Sequence, residues 1–345
     1  MSEKKVKLGN LLLGGEKIYI QSMLSVPAHN IKGNVEQAIA LEKAGCEIIR
    51  TAVPTVEDAE LITALKNAVN VPIVADIHFD YRIALRCAEL GVDKIRINPG
   101  NIGGEDRVKA VADICKSKNI PIRIGVNSGS LEKDLLLKYG SPTPEALCES
   151  AERHIALLRK FDFDDIVLSV KSSDVRLMIN SYRAIREKYP YPLHLGVTEA
   201  GTQHMGILKS AVGIGSLLSD GIGDTIRVSL TADPINEVYA AKDILKAVGK
   251  GNGVEIVSCP TCGRTSIDLI GLAEKVEDAT RDIKKNIKIA VMGCVVNGPG
   301  EAREADIGVA GGKGEGIIFK KGEIIKKVKE DELLCELLHE IEKIL

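Results

Sequence analysis

The chain has 345 residues, 45% hydrophobic and 27% charged, which excludes a disordered polypeptide and leaves room for one large domain and a small one. Its 48 acidic and 46 basic residues give a formal charge of −2, so nothing in the balance draws it to nucleic acid or an anionic membrane. Tryptophan is absent and aromatics are 3%, which argues against a base-stacking surface; the apolar Leu11-Leu12-Leu13 is too short for a secretory signal, and no run approaches a membrane span, so the expected compartment is the cytoplasm.

From residue 18 to 230 one unit recurs: a short Val/Ile-rich strand, a polar tip, then a helix-length segment. Strands are expected over 18–23, 47–51, 72–77, 94–98, 121–127, 165–171, 193–197 and 224–229. The helical patterns between them, such as 35–44 before Gly45 and 82–90 before Gly91, stop on glycine as a left-handed C-cap requires. Eight alternating units predict a (β/α)8 TIM barrel over residues 1–248, in the α/β class. A doubly wound sheet would want a Gly-rich loop after its first strand, and Ser25-Val26-Pro27-Ala28-His29 is not one. A last amphipathic helix over 234–248 and the linker Gly249-Lys250-Gly251-Asn252-Gly253 precede a small α+β domain over 249–345. Strands at 254–257 and 287–292, a helix over 266–284, a hairpin from 306–310 to 316–319 and a C-terminal helix fill it. Gly311-Gly312-Lys313-Gly314 lacks the spacing of a phosphate loop and reads as the hairpin turn.

Parallel strands buried on both faces should be almost purely aliphatic. Five of these carry a cation at or near the C-terminal end: Arg50, Arg96, Arg123, Lys171 and Arg227. Buried cations need partners, and the two acids expected at the same rim, Asp76 and Glu199, cannot balance five bases. A phosphorylated ligand resolves the conflict, with Asn98, Asn127, Ser229 and Thr231 as neutral donors at the barrel's C-terminal face. Glu199 and the pair Asp76 and His78, which share one side of a strand, are the acid–base candidates. His29, His154, His194 and His204 have no assignable role.

Of the eight cysteines, Cys46, Cys87, Cys115 and Cys148 lie among apolar residues and are expected to be buried packing thiols. Cys259-Pro260-Thr261-Cys262 and Cys294 instead sit at strand-to-loop junctions of the small domain, with 31 residues between Cys262 and Cys294. Thiolate sets of this kind hold zinc or an iron–sulfur cluster. Structural zinc wants a fourth Cys or His nearby. Cys335 falls in the apolar pattern of the last helix, His339 is distant, and Glu301 is the nearest unused donor, which favours a reactive cluster with a weak fourth ligand. The alternative is a zinc-stabilised barrel lyase acting on a sugar phosphate.

Cys259-Pro260-Thr261-Cys262-Gly263-Arg264 and Met292-Gly293-Cys294 continuing to Glu301-Ala302 closely resemble the 4-hydroxy-3-methylbut-2-en-1-yl diphosphate synthase family of isoprenoid biosynthesis, in its two-domain bacterial form. Ala75-Asp76-Ile77-His78, the run from Arg96 to Asn101, Arg123 to Asn127, Val197 to Gly201 and Ile226 to Thr231 resemble it too, so the likeness spans essentially the whole chain. It implies a [4Fe–4S] cluster on Cys259, Cys262 and Cys294 with Glu301 as fourth ligand. The implied substrate is the cyclic diphosphate of 2-C-methylerythritol, its phosphates among Arg50, Arg96, Arg123, Lys171, Arg227 and Ser229. Electrons would come from flavodoxin or ferredoxin in a head-to-tail homodimer, with Glu199 delivering a proton and Asp76 and His78 near the substrate hydroxyls.

Overall fold

A computed structural model describes residues 2–98, 100–281, 283–294 and 302–345. It divides into two units, Met1–Val248 and Gly249–Leu345.

The first unit begins with a hairpin that the sequence pattern did not announce. Strands β1 (Val6–Leu8) and β2 (Leu11–Leu13) pair antiparallel around Gly9, whose φ of 55° suits a tight reversal. Val6, Leu8 and Leu13 are buried against Tyr19, Ile48, Val74 and Val167, the inward residues at the N-terminal ends of barrel strands. The hairpin therefore plugs the base of the barrel.

Eight parallel strands follow: β3 (Tyr19–Met23), β4 (Ile48–Ala52), β5 (Ile73–Asp76), β6 (Lys94–Ile97), β7 (Ile122–Asn127), β8 (Ile166–Lys171), β9 (His194–Leu195) and β10 (Thr225–Ile226). They run β8-β7-β6-β5-β4-β3-β10-β9, and a parallel bridge from Leu168 to Leu193 closes the ring between β8 and β9. The expected barrel is present. Its β9 and β10 are two-residue strands, shorter than the segments 193–197 and 224–229, because Gly196 and the polar rim beyond it leave the ladder. Helices α1 (Ile31–Ala44), α2 (Glu60–Ala68), α3 (Tyr81–Glu89), α4 (Glu105–Lys118), α5 (Lys133–Tyr139), α6 (Pro144–Arg159), α7 (Val175–Lys188), α8 (Gln203–Ser219) and α9 (Pro234–Ala247) connect them.

Local chemistry sets these boundaries. Asn30 accepts from the Gly33 N–H at the start of α1, Thr143 and Asp174 cap α6 and α7 in the same way, and each such cap contributes about 1 kcal/mol. Alternation along the strands does the rest. Ile49, Ile73, Ile95, Ile97, Ile122, Ile124, Ile166 and Leu168 point outward and form the main core with the helices. Their neighbours in sequence point into the barrel, where the ligand-binding groups lie.

In the second unit, β11 (Val254–Ser258), β12 (Ile287–Met292) and β13 (Ile307–Gly311) are parallel neighbours. The sheet continues antiparallel through β14 (Glu315–Lys320) and β15 (Glu323–Lys329). Helices α10 (Leu269–Thr280) and α11 (Leu333–Glu342) bury Leu269, Val276, Leu333, Leu337 and Ile341 on it. α10 is shorter than the 266–284 segment, since Asp268 caps it by accepting from the Gly271 N–H. The edge strand β15 was not expected: Glu323, Lys326, Lys327 and Lys329 disguise it, as charge on a sheet edge does. Cys335, read as part of the apolar stripe of α11, is exposed instead.

Candidate functional site

Strand register turns the barrel interior into stacked layers contributed by alternate strands. Ile48, Lys94, Val167 and Thr225 make the lowest complete one. Gln21, Val74, Arg123 and His194 lie above them, then Arg50, Arg96, Ser169 and Arg227. Met23, Asp76, Gly125 and Gly196 come next, and Ala52, Asn98, Lys171 and Ser229 lie towards the mouth. The polar candidates converge because every second residue of each strand must face inward.

The inventory of charge is uneven. Asp76, 1% exposed, receives hydrogen bonds from Arg50 and, at 3.2 Å, from Arg96, and His78 Nε2 stands 3.3 Å from its Oδ2. Burial opposes its ionisation, but Arg50, the His78 hydrogen bond and Arg96 prevail and hold the carboxyl well below its ordinary range. Arg227 is paired at 3.2 Å with Glu237, a buried carboxylate on α9 that also accepts from Ser22 Oγ and the Leu230 N–H. None of the described carboxylates pairs with Arg123, Lys171 or Lys94. Burial, followed by the neighbouring guanidinium groups, pushes all three well below their usual values. Six bases thus face two acids, and neighbouring cations repel by about 4 kcal/mol at ~4 Å separation and an effective dielectric of ~20. An anionic ligand fits this interior.

Two glycines make space for it. A methyl group at Gly125 would stand 2.6 Å from Arg96 Nε, and one at Gly196 would stand 2.8 Å from Lys171 Nζ. Any larger inward residue would displace a cation. Nearer the mouth, Asn98 is buried and its Oδ1 accepts from the Gly100 N–H, while Asn127 and Ser229 are half-buried and Thr231 is exposed. The loops after β9 and β10 are tied together where the Thr231 N–H donates to the Gly201 carbonyl at 3.0 Å. On the first of these loops Glu199 is exposed and adopts φ 50°. A non-glycine residue held there costs about 1–3 kcal/mol, the kind of strain that collects at functional sites.

Sequence reasoning and structure differ in four places. Arg123 is not at the rim: it is the second residue of β7 and lies deep, with Nη1 donating to Gln21 Oε1 at 3.0 Å. Glu199 balances none of the cations; Glu237 is the second acid. The signal for Glu237 was a lone acid on the buried stripe of α9, among Val238, Ala241 and Leu245. Lys94, at the inward start of β6 two residues before Arg96, could have been found from the strand alternation. Of the unassigned histidines, His194 is buried in the barrel, His154 lies 3.1 Å from Glu132, and His29 and His204 are exposed.

In the second unit the Cys259–Cys262 loop follows β11 and Cys294 follows β12, and these strands are adjacent and parallel. The Gly293 N–H points at Cys259 Sγ at 3.3 Å. Ser266 N–H donates to the Gly293 carbonyl and Thr265 Oγ1 accepts from the Cys262 N–H, which folds the loop against the residue preceding Cys294. A Cβ at Gly293 would meet Thr265 at 3.0 Å, so glycine permits this approach. Hydrogen bonds from Arg264 lower the Cys262 thiol pKa. N–H donation to the Cys259 sulfur and the lowered Cys262 thiol suit an iron–sulfur cluster. Among the described residues no three Cys, His, Asp or Glu side chains yet converge as a preformed metal site, and Glu301 lies outside those residues. The four packing thiols behave differently: burial pushes Cys46, Cys87 and Cys115 up to about 12 and Cys148 to about 11.

Residues 3–242 match the family model of the GcpE TIM-barrel domain, and residues 255–343 that of the GcpE protein C-terminal domain. The chain belongs to the GcpE family. It is 60% identical over 343 residues to a 4-hydroxy-3-methylbut-2-en-1-yl diphosphate synthase (flavodoxin) of Clostridium perfringens, covering 99% of this chain and 98% of the relative. A protein of the same name from Caldanaerobacter subterraneus is 58% identical, over 99% of this chain and 96% of its own. This GcpE chain also shares its barrel with dihydropteroate synthase of Yersinia pestis, at TM-score 0.52 and 14% identity, over 72% of this chain and all of the other. That second likeness concerns the fold alone. No helix among the described residues of the GcpE chain is long and apolar enough to cross a membrane.

Proposed function

We propose that the chain catalyses the reaction its relatives are named for: reductive opening and dehydration of 2-C-methyl-D-erythritol 2,4-cyclodiphosphate to 4-hydroxy-3-methylbut-2-enyl diphosphate. Two electrons and two protons enter and one water leaves. The observation that carries the reading is full-length relation at 60% identity to a protein of that name. The barrel agrees with it: Arg50, Arg96, Arg123, Lys171 and Arg227 face inward against two acids, Asp76 and Glu237, an excess of bases that suits a multiply charged anion. The zinc-lyase alternative shares that barrel and is disfavoured by the family.

In this reading Arg50, Arg96, Arg123, Lys171 and Arg227, with Asn98, Asn127, Ser229 and Thr231, hold the diphosphate. Asp76 keeps Arg50 and Arg96 in fixed orientation, as Glu237 does Arg227, so the cations meet the phosphates preorganised. The exposed His78 stands on Asp76 and faces the substrate hydroxyls with it. Glu199, on the strained loop after β9, delivers a proton to the departing oxygen. Cys259, Cys262 and Cys294, with Glu301, would hold the [4Fe–4S] cluster. What such a cluster supplies when bound is one-electron reduction, with flavodoxin as donor. A head-to-tail homodimer brings one subunit's cysteines to its partner's barrel and excludes water there.

The test is direct. Protein purified and reconstituted without air, given the cyclic diphosphate and reduced flavodoxin, should form the allylic diphosphate, read by mass spectrometry. A colourless zinc protein, or an iron-loaded one that leaves the substrate intact, would overturn the reading.

A further inference from the structure

Beneath the layer of Arg50, Arg96 and Arg227, four buried nitrogen atoms have no hydrogen-bond partner: Lys94 Nζ, Gln21 Nε2, Arg123 Nε and His194 Nε2. Their residues are 0–2% exposed. All four occupy inward positions in the two lowest complete layers, on β6, β3, β7 and β9. We infer that this part of the barrel is a binding site for a small inorganic monoanion of the chloride class.

The chemistry of the orphaned atoms decides between an anion and water. Gln21 Oε1 accepts from Arg123, and the amide NH2 is the group left without a partner. His194 Nδ1 is 2.8 Å from Thr225 Oγ1, whose hydroxyl can donate to it, leaving Nε2–H as a donor. Arg123 Nε can only donate, and a charged Lys94 likewise. Four buried groups with N–H to donate therefore occupy two adjacent layers of the interior, and each buried donor left unmatched costs about 1–3 kcal/mol. A water molecule accepts about two hydrogen bonds and brings two donors of its own. Those would need acceptors, and the floor here is the apolar cluster of Val6, Leu8, Leu13, Ile48, Val74 and Val167. The two carboxylates of the interior are engaged with Arg50, Arg96 and Arg227 in higher layers. An anion accepts from every direction and asks for nothing back.

Electrostatics point the same way. Burial, Arg123 and Arg50 all oppose a charge on Lys94, and a monoanion between Lys94 and Arg123 offsets that repulsion. The proposed site lies in lower layers than the donors nearer the mouth, Asn98, Lys171 and Ser229, although Arg123 is shared between the two. Its occupancy does not depend on which substrate the enzyme uses.

Crystals of the anaerobically purified full-length protein grown in bromide test it by anomalous scattering. The expected result is one bromide within contact of Lys94 Nζ, Arg123 Nε, Gln21 Nε2 and His194 Nε2; ordered water or empty space there overturns the inference. In solution, replacing gluconate by chloride at constant ionic strength should raise the wild-type melting temperature by about 2–3 °C once chloride exceeds its dissociation constant tenfold. Lys94→Met should lose that rise. Should the variant fail to fold, the wild-type titration stands alone: a flat melting temperature overturns the inference, and a bromide peak accompanying it marks binding at crystal concentration only.

Discussion

The barrel and the cysteine-bearing unit solve the problem of holding a ligand in opposite ways. Barrel cations stand on strands, locked in register, and three of them, Arg50, Arg96 and Arg227, are braced by Asp76 and Glu237, so on the proposed reading much of the anion site exists before any anion arrives. The cysteines stand on loops beyond the strand ends, with Cys262 exposed and no three ligand groups converged among the described residues. A carboxylate can brace a guanidinium in the ligand's absence. On the proposed reading, the cluster itself would draw the cysteine loops together when it binds.

The difference can be broken at its strongest point first. Cys262→Ser should abolish cluster colour and product formation, while pyrophosphate still binds the barrel in calorimetry with near wild-type affinity. Loss of both would show that the two units do not act separately. Arg123→Met should do the reverse, weakening pyrophosphate binding about tenfold to a hundredfold with the cluster absorbance intact.

Lys171 sharpens the comparison further. Burial and the guanidiniums around it depress its pKa, so its proton is lost well before that of a free lysine as pH rises. Pyrophosphate affinity should therefore fall with rising pH over that range, with proton uptake on binding within it and none below it. Lys171→Arg, permanently charged, should flatten the profile; an unchanged slope would remove Lys171 from the anion site. The smallest effect expected is at Glu199. Glu199→Gly relieves the φ of 50° and should raise stability in urea by about 1 kcal/mol while lowering turnover.

Much of this was legible in the sequence because the alternation of a barrel strand is unforgiving: once Ile95 and Ile97 face the helices, Arg96 must face inward. The same rule could have exposed Lys94. What escaped was information held between distant segments. Glu237 is one acid on a helix until the fold sets it beside Arg227, ten residues away in the chain but across a loop in space. Arg123 was misplaced in depth because a strand's pattern says which side a residue faces and not how far its neighbours are staggered. Three residues per strand in β1 and β2 are too few to show a period, so the hairpin left no signature.

That hairpin has a kinetic consequence. With the lower end stoppered, the barrel has a single doorway, and the product must retreat past the cations that drew the substrate in. A diphosphate-bearing product should therefore compete directly with the next substrate for the vestibule.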